Sequence, residues 1–344
     1  MTKTYKATAI LVVLLLLSTA AFAAKAKPTK KTTSKSTTNH ATIGTTQLKG
    51  EYADLGSTYT LGKISPLNVT LTSVEFSVGQ LVIGDSLHYP KADEKFLVLH
   101  YVIHNPQSQE VFVRWDTFNI TAVDSKNENH EYEQNSGVEK TNSNFEMDLK
   151  PGQKISVFSY IAVPAELDIP KLIFKSDDNL VLRYNLKGKI KPLSAPYADP
   201  ADSTGVTALK KVTAKTGELY PIGVFNFAFN STSFSDNEIE DFELEEGNRY
   251  FVINATIKNS APCESYIRWD TLVPTLSDSD GVDLDSYRAM LLASRDKPVD
   301  TDLKPGQEVK VRLFFEVPSD IVLKTLSVGV EDSRLFEYDM NGVN

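Results

Sequence analysis

The sequence predicts an all-β chain made of two tandem β-sandwich domains. Three observations carry this prediction. A single shift of 154 residues lays much of the second half over the first. The matched segments alternate apolar and polar residues with the period of two that marks a strand. Turn signals stand between them, and 344 residues give room for roughly two domains of about 150 residues each.

The repeat is read residue by residue. Lys95–Asn105 lies over Arg249–Asn259, Arg114-Trp-Asp-Thr117 over Arg268-Trp-Asp-Thr271, and Leu149-Lys-Pro-Gly-Gln153 over Leu303-Lys-Pro-Gly-Gln307. Val163-Pro164 meets Val317-Pro318, and Tyr184 and Gly188 meet Tyr338 and Gly342. With four residues allowed in one loop, the strand at Leu71–Ser77 meets the one at Phe229–Ser235. Leu97, Leu99, Tyr101 and Ile103 share one strand face, as do Phe251, Ile253, Ala255 and Ile257. After Pro-Gly-Gln the pattern returns, with Ile155, Val157 and Ile161 matched by Val309, Val311, Leu313 and Phe315. The last strands carry Leu182, Tyr184 and Leu186, and Phe336, Tyr338 and Met340. Pro-Gly suits the two central positions of a type II turn, because glycine tolerates the positive φ required there. Only Tyr287–Arg295 shows any helical period. Several short alternating strands in about 140 residues predict a two-sheet sandwich.

The seams follow from composition. Residues 1–23 read as a Sec signal peptide: Lys3 and Lys6, an apolar core from Ala9 to Leu17, then Ala21-Phe22-Ala23 for cleavage near Ala23. The apolar run is too short to span a bilayer, and no cysteine follows it to take a lipid. Residues 24–49 form a Lys/Thr/Ser-rich tether, 50–190 the first sandwich, 191–205 a Pro-rich linker and 206–344 the second sandwich. The expected location is secreted or periplasmic, with a chain that does not span the membrane. A lone cysteine, Cys263, leaves no intrachain disulfide, so packing alone must hold each domain. From Gly50 onward 28 Lys and Arg face 45 Asp and Glu, a balance that repels nucleic acid and anionic lipid.

These pieces carry a resemblance. Gly56–Gly62 before Ser73–Phe76, a strand ending in Asn105 or Asn259, the Asp278–Gly281 turn, Leu149–Gln153 and Leu303–Gln307, and Phe315–Pro318 follow one order. That order resembles a family of telokin-like immunoglobulin-type domains of unknown function found in secreted bacterial proteins and lipoproteins. The resemblance covers both repeats, implies an immunoglobulin-like (telokin-like) sandwich for each, and brings no catalytic residues. The first repeat departs from it where Asp124-Ser-Lys-Asn127 lacks the turn glycine and Tyr160–Pro164 replaces Phe-Glu-Val-Pro.

Two constellations are candidate sites. Arg114, Trp115, Asp116 and Arg268, Trp269, Asp270 hold both tryptophans of the chain and could form an Arg–Trp ligand platform. The structural alternative is preferred: the tryptophans fill the core while Asp and Arg brace a bend. Asp278, Asp280, Asp283 and Asp285 invite a calcium reading. However, Leu276 and Tyr287 stand where the first and last ligands of a calcium loop belong, and a hairpin around Asp280-Gly281 explains the same residues. His100 and His104 lie on one strand about 13 Å apart, too far to share a metal. Nucleophile and metalloprotease motifs are absent, so no enzyme activity, metal or cofactor is expected. The aligned acids, Glu110/Glu264, Asp116/Asp270, Asp124/Asp278 and Asp148/Asp302, mostly flank turns.

The expectation is therefore an exported, non-catalytic binding or interaction module whose partner is an envelope protein or polysaccharide. The alternatives are a secreted β-sandwich hydrolase using Asp and Glu carboxylates, or a passive structural component of the envelope.

Overall fold

The computed structural model describes residues 51–344 apart from 134, 177–179, 240, 241, 285 and 344. The expected signal peptide (1–23) and tether (24–49) lie outside the described residues. Among the described residues every regular element is a strand.

The first half has a five-stranded antiparallel sheet that runs through Thr58–Leu61, Leu67–Ser77, Glu94–His104, Lys154–Pro164 and Ser136–Val138. Val181–Asn185, Lys171–Lys175, Asn119–Val123 and Asn129–Glu131 form a four-stranded sheet that shares its core. The second half has the five-stranded sheet Tyr220–Ile222, Phe225–Ser235, Asn248–Asn259, Glu308–Pro318 and Tyr287–Leu292. Its other sheet runs Lys211–Thr213, Leu335–Asp339, Leu323–Val328, Thr275–Asp278 and Asp283–Leu284. Each half adds a short ribbon, Val111–Arg114 with Glu146–Leu149 and Ser265–Arg268 with Asp300–Leu303. Even the irregularity recurs: the register shifts between Leu71 and Ser73 in one half, and between Phe229 and Ser231 in the other.

The period-two faces enter the cores as the pattern demands. Leu97, Leu99, Tyr101 and Ile103 lie in the first core, and Phe251, Ile253, Ala255 and Ile257 in the second. Burying one such side chain contributes about 1.5–3 kcal/mol. The opposite face is not fully solvated. Phe96, Val98, Phe158 and Tyr160 form a smaller cluster with Ile83, from the hairpin Leu81–Ile83/Ser86–His88. Tyr250, Val252, Phe314, Ala289 and Leu291 do the same with Ile239. Central strands covered on both faces explain the unbroken apolar run Phe96–Leu99.

Two-sided cover also explains Tyr287–Arg295, whose faint helical period is a strand instead. Tyr287–Leu292 pairs along Glu308–Pro318, with Met290 in the main core and Ala289 and Leu291 in the lesser cluster. Three consecutive buried residues imitate a helical stripe when both faces of a strand are covered. The Pro-Gly turns form as expected, with Gly152 at φ +73° and Gly306 at φ +74°. Asn127, which stands where the second repeat has Gly281, adopts φ +64° itself. Asparagine is among the few residues that occupy this region readily. The Pro-rich segment 191–205 is pinned rather than loose: Lys191 N–H donates to Val74 O, Leu193 N–H to Gly205 O, and Leu193 is buried.

Two buried asparagines tie each half together. Asn105 Nδ2 donates to Gln109 O and Leu149 O, both at 2.8 Å, and its Oδ1 accepts Gln107 N–H at 3.0 Å. Asn259 Nδ2 donates to Cys263 O at 2.8 Å and Leu303 O at 2.7 Å, and its Oδ1 accepts Ala261 N–H at 2.9 Å. Their backbones also bond the Pro-Gly-Gln turns, through Gly152 and Gln153 or Gly306 and Gln307. One side chain thus joins the end of a core strand, the following loop and the turn.

Asn259→Leu leaves Leu303 O and Cys263 O without their donor, at roughly 1–3 kcal/mol for each group that stays buried. The second half should lose about 3 kcal/mol in urea unfolding. A variant with an unchanged midpoint would contradict this role.

Candidate binding surface

The short ribbons set the candidate site. Along Val111–Arg114, Val111 and Val113 point into the core while Phe112 and Arg114 point out. Along Ser265–Arg268, Ile267 is buried while Tyr266 and Arg268 are exposed. On the outer face Phe112 stands opposite Asp148 and Arg114 opposite Glu146. In the second half Tyr266 stands opposite Asp302 and Arg268 opposite Asp300. Phe112 and Tyr266 are each 53% exposed.

The ribbon then turns through Arg-Trp-Asp-Thr. Thr117 N–H donates to Arg114 O at 2.9 Å, and Thr117 Oγ1 accepts Arg114 N–H at 2.8 Å. Thr271 and Arg268 make the same two bonds at 3.0 and 2.8 Å. Arg114 Nε reaches Asp116 Oδ1 at 2.6 Å, and Arg268 Nε reaches Asp270 Oδ1 at 2.8 Å. Arg, Asp and Thr thus brace the bend. The tryptophans, however, are not core residues. Trp115 is half-buried beside Arg114, whose guanidinium carbon lies 5.3 Å from the ring centroid, and Trp269 is 44% exposed. Each occupies the second position of a four-residue turn whose ends are bonded, where the side chain projects away from the chain. The core places on either side are filled by Val113 and Phe118, and by Ile267 and Leu272.

The corner electrostatics follow from these contacts. The Asp270 carboxylate beside Arg268 holds the guanidinium's pKa above its ordinary value. The hydrogen bond from Tyr266 Oη to Asp300 Oδ1 holds that phenol's pKa up. Burial does the same to Tyr287, whose Oη donates to Trp269 O at 2.7 Å and steadies the second corner. In the first half the corner borders a cavity of about 370 Å³, lined by Leu61, Gly62, Ile64, Phe112, Arg114 and Phe118. Ile64, at the tip of the turn between Thr58–Leu61 and Leu67–Ser77, is 90% exposed. The matching cavity of the second half, about 430 Å³, is bordered by Gly223, Phe225, Tyr266, Thr271 and Val330, and by Tyr89 from the first half.

The other candidates do not converge. Asp278 Oδ1 accepts Asp280 N–H at 3.0 Å and Val282 N–H at 2.9 Å, so it closes the hairpin turn. Asp283 Oδ1 accepts from Ser277 Oγ at 3.1 Å, Asp280 is exposed, and Asp285 lies outside the described residues. Among the described residues no three His, Cys, Asp or Glu side chains are arranged to hold a metal. Asp124, the counterpart of Asp278, likewise accepts Lys126 and Glu128 N–H, with His130 Nε2 at 2.9 Å from its other oxygen. His100 sits 2.6 Å from Glu139, and His104 3.2 Å from Asn68. Cys263 is exposed.

The sequence reading missed Phe112, Tyr266 and Ile64. The first two were within reach, because each is an aromatic at an outward position of an alternating strand, and the 154-residue shift aligns them. Ile64 had no such signal, since its turn has no equivalent of the same length in the second half.

Residues 214–333 match a family described as "Domain of unknown function (DUF4352)". Among solved structures the chain is similar to an uncharacterized beta-sandwich protein from Clostridium difficile 630, at 17% identity over 41% of this chain and 99% of that one, with a TM-score of 0.30. It is also similar to the yjhA protein from Bacillus subtilis, at 14% identity over 37% of this chain and 98% of that one, with a TM-score of 0.25. No curated protein matches the chain.

An exposed turn residue contributes little to stability, with surface changes usually within about 0.5 kcal/mol. Trp269→Ala should therefore melt within about two degrees of wild type, and iodide should quench the fluorescence of Trp269 freely. A loss of several degrees on truncation would return that residue to the core.

Proposed function

We propose that the chain is an exported, non-catalytic binding module of the cell envelope or extracellular space, and that it holds its partner at the two Arg-Trp-Asp-Thr corners. One observation carries this reading: an aromatic and an Arg face solvent at the same places in both halves, with Trp269 exposed and Trp115 half-buried beside them, while the flanking residues fill the cores. Trp, Tyr and Arg dominate the few residues that carry binding energy at interfaces. The first corner also adjoins the open cavity at Ile64 and Phe112, which gives an anchor side chain somewhere to go. The partner is an envelope protein or polysaccharide, because the acidic body disfavours nucleic acid and anionic lipid. Export rests on the sequence from Lys3 to Ala23, and the two copies of one telokin-like domain on the 154-residue repeat.

The test is co-sedimentation of the purified mature chain with the native envelope fraction. Trp115→Ala/Trp269→Ala should keep the wild-type melting temperature and bind at least tenfold more weakly. Equal retention of the two proteins, or no retention of wild type, would refute the reading. Amino-terminal sequencing of the exported protein should begin at Ala24, and a start at Met1 would remove the case for export.

A further inference from the structure

All the described residues belong to one compact unit, and the place where the two halves meet is built from two buried cations. Lys95, at the start of Glu94–His104, is fully buried. Its Nζ donates to Ala165 O at 3.0 Å, to Leu167 O at 2.9 Å and to Val206 O, and lies 4.1 Å from the centroid of the Phe76 ring. Val206 packs against the first core and leads on into the second half. Arg334, just before Leu335–Asp339, is buried as well. Its Nη2 donates back to Glu94 O at 2.8 Å, and its Nε donates to Leu209 O. Glu94 and Lys95 are neighbours, so each half grips the same strand start from its own side.

Other contacts close the joint around them. Ala92 N–H donates to Asp332 O and Ala208 N–H to Ala165 O, each at 2.9 Å. Gln80 Nε2 donates to Gly223 O at 2.7 Å and Phe225 O at 3.1 Å. These residues stand apart from the repeated design. The 154-residue shift puts Leu180 where Arg334 stands, and the strand alignment puts Glu238 where Gln80 stands. Arg249, the counterpart of Lys95, keeps only the ring contact, 3.6 Å from the centroid of Phe234. Arg334 and Gln80 are therefore side chains that folding of one sandwich does not call for, while Lys95 keeps two bonds within its own half and reaches across only to Val206 O.

We propose that Lys95 and Arg334 form a reciprocal clasp that joins the two halves into one rigid body, with the two outward corners at a fixed mutual position. The physical reason is the choice of partners. Each cation spends its donors on main-chain carbonyls from separate segments. A small displacement strips donors from a desolvated charge without admitting water, so intermediate placements are disfavoured. Burial already holds Lys95 down to about 8 despite the nearby Asp168, Asp202 and Glu166, so its charge has little water to fall back on. The value of a fixed spacing rests on the proposed function: two sites on a rigid body engage a repeating ligand with less loss than two on a flexible one.

Electron paramagnetic resonance distance measurement tests the clasp without any ligand, so its outcome is independent of binding at the corners. Nitroxide labels go on the native Cys263 and on Gln109→Cys, its exposed counterpart in the first half. A single narrow distance is expected, and Lys95→Met/Arg334→Met should broaden or split it. A broad distribution in the parent with Lys95 and Arg334 intact, or an unchanged narrow one in the double variant, overturns the proposal. Should the double variant fail to fold, Arg334→Leu takes its place, since leucine is the counterpart residue. Scanning calorimetry then supplies the second readout, with one transition expected for the parent and two for Arg334→Leu. Two transitions in the parent, or one in the variant, overturns the proposal equally.

Discussion

The structure depends on a buried amide at the end of a core strand. Asn105 and Asn259 are fully buried, and each side chain bonds three main-chain groups that no strand partner reaches. Without that side chain the strand end, the loop after it and the Pro-Gly-Gln turn would each hold buried polar groups in need of a partner. Asparagine suits the place because it donates twice and accepts at once, where an aspartate could only accept. Because the loop leads directly into the ribbon, the amide also fixes where the ribbon starts, and so where the Arg-Trp-Asp-Thr corner stands.

The corner follows from that placement. Alternation along the ribbon sends Val113 and Ile267 inward, and Phe112, Tyr266 and the arginines outward. The Thr hydroxyl and the Arg–Asp pair close the turn using only local partners. These exposed ion pairs add little stability by themselves, since side-chain entropy and solvent screening offset most of their attraction. Their effect is geometric: they fix the corner at the edge of the sandwich, where Arg114, Asp116 and Thr117 line a cavity in the first half.

Much of this was legible in the sequence, and the reasons for success and failure are physical. The core faces of Leu97–Ile103 and Phe251–Ile257 were readable because burial on one face leaves a period of two. The turns at Gly152 and Gly306 were readable because the positive φ leaves few alternatives to glycine. Trp115 and Trp269 were misread because size and hydrophobicity argue for a core, whereas a residue's place within a bonded turn decides its direction. Tyr287–Arg295 was ambiguous because cover on both faces erases the alternation of a strand. The joint was invisible: Lys95 and Arg334 look like any surface cations until the carbonyls of Val206 and Glu94 are placed against them.

Hydrogen exchange followed by NMR tests the central claim most directly, that buried amides hold the corners while Trp269 faces water. The Nδ2 protons of Asn105 and Asn259 should exchange only with unfolding of their own half, and the Trp269 indole proton should exchange within a few-fold of the free side chain. Rapid exchange at the asparagine amides together with a protected Trp269 indole would contradict the account, because it would put the tryptophan in the core and the asparagine at the surface.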